Sequence, residues 1–171
     1  MSVLVLVLGL VFFLGVHSVR IVADDWRSAQ IARRGEGPWK GLVSLASLAG
    51  FALIVWGYAM ARTQPLMLWA PPRWAPHLAS LLVLFAFVLL VAAYVPKNGI
   101  KTWVHHPMLL GVMLWAIAHL LANGTLADLL LFGSFLVWAV LDFIAARRRD
   151  HPAGDPHLPG TLAGSLIALE V

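Results

Sequence analysis

The stretch "HHPMLLGVMLWAIAHLLANG", residues 105–124, places three histidines and an asparagine in an otherwise apolar segment. Histidine is the side chain best equipped for chemistry there, because a neutral imidazole can ligate a metal, relay a proton or hydrogen-bond a neighbouring helix. His119 follows His106 by thirteen residues. At a helical rise of about 1.5 Å per residue, that distance is about 20 Å, which is membrane depth. Leu109, Val112, Ala116, His119 and Asn123 share one stripe at helical spacing, so His119 and Asn123 point inward together. Gly111 and Ala118, seven apart, offer a place where another helix or a flat cofactor can approach closely.

The remaining candidates are scattered. His17 lies in "FFLGVHSVR", near the end of an apolar run, where its plain reading is an interfacial histidine hydrogen-bonded to a neighbour. His105 and His106, close to Lys101, are metal ligands, acid–base groups or interfacial polar residues; His77, at the start of another run, is equally open. Asp128 and Asp142, fourteen apart, fall near one helix face. Asp142 is expected to pair with a nearby cation, and Asp128 to lie near an outer end within reach of water. The chain has no cysteine, which excludes disulfides, thiolate-ligated haem and C-x-x-C-H attachment. No serine has a His–Asp setting and no Gly-rich phosphate loop is present, so hydrolase chemistry is not indicated. Haem b suits what remains: a flat apolar macrocycle partitions between helices and needs only one or two neutral imidazoles.

The elements that must hold these residues are membrane helices. The chain has 171 residues, of which 61% are hydrophobic and 12% charged. Mean hydropathy is +0.86, and a water-soluble globule of that composition could not cover its apolar surface. Apolar runs at 2–22, 41–61, 77–95 and 125–146 each approach the roughly 20 residues needed to cross a bilayer, and 107–122 is a shorter fifth. The fold expected is an all-α polytopic bundle with about five spans. The first run lacks a basic start and a small-x-small cleavage site, so it is an uncleaved span rather than a secretion signal.

Basic residues set the orientation. Arg20, Arg27, Arg33, Arg34, Lys40, Lys97, Lys101, Arg147, Arg148 and Arg149 share one side, against Arg62 and Arg73 on the other. This predicts an N-terminus outside and a C-terminus in the cytoplasm. The isoelectric point near 10.1 reflects that topology and is compatible with contact with anionic lipid, and gives little reason to expect nucleic-acid binding.

Between the spans, "RIVADDWRSAQIARRGEGPWKG" is expected to form a short interfacial helix ended by Gly35 and Pro38. The loop "TQPLMLWAPPRWAP" is expected to lie on the membrane rather than cross it. Pro107 suits a first helical turn, with His106 before it as an extended, capping residue. Residues 150–171 form a Pro/Gly-rich tail whose final "LEV" is compatible with the scar of an engineered protease site.

"HPMLLGVMLWAIAHLLANG", with "FFLGVHSVR" upstream, resembles the NnrU family of bacterial membrane proteins, with residues 1–149 as the family-like domain. Members usually continue with a further hydrophobic segment. The resemblance implies an inner-membrane protein linked to nitrite and nitric oxide metabolism. It also implies kinship with the haem b enzyme zeta-carotene isomerase, a redox-dependent catalyst acting on a hydrophobic substrate. Carried over by position, it implies a haem iron held by His17, in "VHSV", and His119, in "IAHLL". Depth argues against a simple pairing, since from the outer side His17 lies about 21 Å in and His119 about 10 Å. "HPMLLG" is also similar to the R-H-P-x-Y-x-G box of membrane methyltransferases that bind S-adenosylmethionine, with His105 in place of arginine and Leu109 in place of tyrosine. A third reading is a non-enzymatic helical accessory protein. Substrate and oligomeric state stay open.

Overall fold

The computed structural model describes residues 2–150. Seven helices make up the described chain: α1 Ser2–Val22, α2 Asp24–Arg34, α3 Glu36–Ala61, α4 Ala75–Tyr94, α5 Gly99–Val104, α6 Pro107–Ala122 and α7 Leu126–Asp150. No strand occurs among the described residues; one isolated bridge joins Met67 to Thr125. Four helices, α1, α3, α4 and α7, are long and apolar enough to cross a membrane, and α6 is apolar but shorter. Large side chains such as Val11, Leu45, Leu84 and Val137 stay exposed on their outer faces. Lipid rather than water suits such faces.

Packing runs α3 on α1, α1 on α7, α7 on α6 and α6 on α4. Leu6 and Leu10 of α1, Ile54 and Ala61 of α3 and Ala127 of α7 form the buried cluster, with Tyr58, Leu130 and Phe135 packed against it. Small residues set the spacing between helices. A Cβ at Gly57 would collide with the backbone of Leu6, and one at Gly9 would lie 2.7 Å from the nitrogen of Ile54. Glycine alone permits α1 and α3 to approach so closely. Gly111 is occupied in the same way, since its Cβ would lie 3.0 Å from the carbonyl of Ala86 and from the Leu90 side chain. The close approach expected at Gly111 is therefore made by α4.

Hydrogen bonds fix the direction of α6. At one end, Leu68 and Trp69 N–H donate to the Gly124 carbonyl at 2.8 and 3.2 Å, and Leu126 N–H donates to Leu66. The proline-rich loop is thereby folded over the α6–α7 connection. At the other end, His106 Nε2 lies 2.7 Å from Asp150 Oδ2. Helix α6 therefore runs the full distance between the two ends, antiparallel to α4 and α7.

Two local expectations change. Gly35, at φ 84°, ends α2 as expected, but Pro38 falls in the first turn of α3, which starts at Glu36 rather than Gly41. The first turn needs no N–H from Pro38, so the helix tolerates it. His106 precedes α6 as expected, yet its side chain makes no cap hydrogen bond and is turned to Asp150 instead.

Candidate functional site

The aromatic residues of α1, α6 and α7 meet in one seam. His17 packs on Phe13, one helical turn earlier, at 4.3 Å between ring centroids. Phe13 contacts Phe135 at 5.8 Å, Phe135 contacts Trp115 at 5.7 Å, and Trp115 contacts His119 at 5.2 Å. His119 lies flat on Phe132, at 4.4 Å and 7°. An unbroken run of ring contacts thus joins the two histidines that the sequence singled out. Phe13/His17 and Trp115/His119 are i, i+4 pairs and Phe132/Phe135 an i, i+3 pair, so each helix places its contributors on one face.

The two imidazoles are held differently. His17 Nδ1 is 2.8 Å from the carbonyl of Phe13, so Nδ1 carries the proton and Nε2 has no partner among the described residues. Trp138 stands nearly perpendicular to His17 with ring centroids 6.1 Å apart, and the buried Trp138 indole N–H finds no acceptor among the described residues. His119 makes no ring hydrogen bond there. Asn123, predicted to work beside it, donates its amide to the His119 carbonyl at 2.9 Å and so tightens the end of α6 without touching the imidazole.

The donor chemistry fits a haem b ligand: a protein carbonyl orients the His17 ring and leaves one nitrogen for iron, in an apolar aromatic setting. The two histidines pack against different turns of α7. Their α7 neighbours, Phe132 and Trp138, are six residues apart. That corresponds to about 9 Å along the helix. Among the described residues no group of three or more His, Cys, Asp or Glu is placed to hold a metal ion.

The end of the bundle near His17 carries a second feature. A cavity of about 480 Å³ is bounded by Arg20, Lys101, the His105–His106 turn, the start of α6 and the last turns of α7. His105 is exposed and has φ 60°, a backbone region that costs a non-glycine residue energy. Asp142, expected to find a cation, is 3.5 Å from Arg149.

His77 stands apart, exposed at the start of α4. At that same end, Asp128 corrects an expectation. Rather than lying open to water, it is 5% exposed and accepts hydrogen bonds from the Tyr58 hydroxyl at 2.6 Å and the Thr125 hydroxyl at 2.6 Å. The Arg62 guanidinium lies over the Tyr58 ring at 5.8 Å. No local signal marks Tyr58, which is seventy residues from Asp128.

Fold and site together define a bundle of membrane-length helices with histidines set into an interhelical aromatic seam. The sequence matches the family described as NnrU protein over residues 5–170, nearly its whole length, and the chain belongs to that family. The match runs past Arg149 through the Pro/Gly-rich segment, of which 151–171 lie outside the described residues. No curated protein and no solved structure matches.

Proposed function

We propose that the protein is a multi-pass protein of the bacterial inner membrane, N-terminus outside and C-terminus cytoplasmic, that binds haem b through His17. It serves nitrite or nitric oxide metabolism, or acts as a redox-dependent isomerase-like enzyme on a hydrophobic substrate. The observation that carries the reading is the His17 ring, oriented by the Phe13 carbonyl, with Nε2 unpartnered among the described residues and the Trp138 ring packed near it. When bound, haem would supply redox chemistry suited to nitric oxide or a hydrophobic substrate. The chain's own part is to orient His17, to offer the Trp138 N–H as a donor, and to keep water out with Phe13, Trp115 and Phe135. His119, stacked on Phe132, is the second candidate ligand.

The test is the absorption spectrum of detergent-purified protein and of two variants. The wild type is expected to show a Soret band that shifts on reduction. His17→Ala is expected to lose it, and His119→Ala to keep a haem with an altered spectrum. A wild type that stays colourless after haem reconstitution, or a His17→Ala variant with an unchanged spectrum, would sink the proposal.

A second reading, S-adenosylmethionine binding at the "HPMLLG" box, is favoured by the cavity beside His106 and Pro107. It predicts saturable binding that His106→Ala weakens. If the protein is instead an accessory subunit, His119→Leu preserves both fold and cellular phenotype.

A further inference from the structure

We propose that the cavity at the His106 end binds the phosphate of an anionic lipid headgroup. The inference rests on the membrane reading of the helices and is independent of haem.

Charge accounting within the cavity carries it. Both carboxylates on its wall are engaged: Asp142 with Arg149 at 3.5 Å, and Asp150 with His106 at 2.7 Å. Arg20, which lines the same cavity, makes no hydrogen bond or ion pair among the described residues. Lys101 Nζ has, among the described residues, only the Ala93 carbonyl, at 3.4 Å. Two cations from different helices thus face one cavity with no carboxylate of their own, a placement that an anion between them would relieve. The start of α6 borders the same space, and no side chain caps it. Its positive dipole end adds to the field. A phosphate would be attracted to this field.

Position argues for a lipid source. The cavity lies at the ends of α1, α4 and α7, helices long enough to cross a bilayer. Tyr94, at the end of α4, and Trp103, in α5, are largely exposed at the same level. Aromatic residues of that kind mark headgroup depth, where lipid phosphates lie. The volume of about 480 Å³ accommodates a glycerophosphate group.

Native mass spectrometry of the full chain in detergent tests this, with phosphatidylglycerol and phosphatidylcholine of matched acyl chains as probes. Phosphatidylglycerol is expected to bind more tightly, and the double variant Arg20→Gln/Lys101→Gln to weaken it by about thirtyfold. Arg33→Gln/Arg34→Gln removes the same charge from α2, at the same end, and is expected to leave binding unchanged. Circular dichroism melting checks that each variant is folded. Equal binding of the two lipids, or equal loss in both double variants, would overturn a built site in favour of diffuse attraction. If millimolar inorganic phosphate stabilises the wild type but not Arg20→Gln/Lys101→Gln, while the two lipids bind alike, the source is a soluble phosphate and the lipid assignment is wrong.

Discussion

At the scale of single residues, the most consequential contact lies away from the histidines. Asp128 is a buried carboxylate satisfied by Tyr58 from α3 and by Thr125 just before its own helix. Removing the Tyr58 hydroxyl leaves a buried acceptor underused, so Tyr58→Phe is expected to cost about 1–3 kcal/mol. Reversible unfolding in mixed micelles measures it, and a change near zero would show that water replaces the phenol. Sequence depth placed Asp128 within reach of water because the partner that seals it lies far along the chain. Asp142 was legible, since Arg149 lies two turns further along the same helix. His17 and His119 were legible as types, because ionisable side chains in apolar helices are few. Their separation on the α7 ladder came only from the packed rings.

At the scale of elements, helix contacts depend on absent side chains. Gly57 meets the backbone of Leu6, so Gly57→Val must force α1 and α3 apart. The expected cost is about 1–3 kcal/mol or more, and thermal melting reads it. At Gly133 an added methyl would meet only the tip of Leu129, at 3.8 Å, so Gly133→Ala is expected to be neutral. Equal melting of both variants would refute the close-approach argument. Helix α6 matched its apolar run to the residue, 107–122, because Pro107 starts it and Asn123 closes it. Helix α3 did not, because Glu36 and Lys40 pair across one turn at 2.8 Å and extend the helix beyond its apolar part.

At the scale of the whole molecule, the four membrane-length helices and the shorter α6 place the 62–74 loop and the 123–125 connection at one end, and His106 and Asp150 at the other. The chain has no native cysteine, so single cysteines report topology cleanly. Thr63→Cys is expected to react with an impermeant maleimide added to intact cells, and Arg148→Cys only after lysis. Labelling of both from one side would refute the proposed orientation.

Composition and hydrophobic run length determined the class: with 61% apolar residues, the described chain has little option but helices that satisfy their own backbone in lipid. "HPMLLGVMLWAIAHLLANG" and "FFLGVHSVR" carried the family. Tertiary structure decided what those signals could not. It joined His17 to His119 through rings from three helices, paired Tyr58 with Asp128, and left Arg20 and Lys101 facing one cavity. Each is a contact between distant segments, and helices that are apolar on every side carry no sequence mark of the face a neighbour will choose.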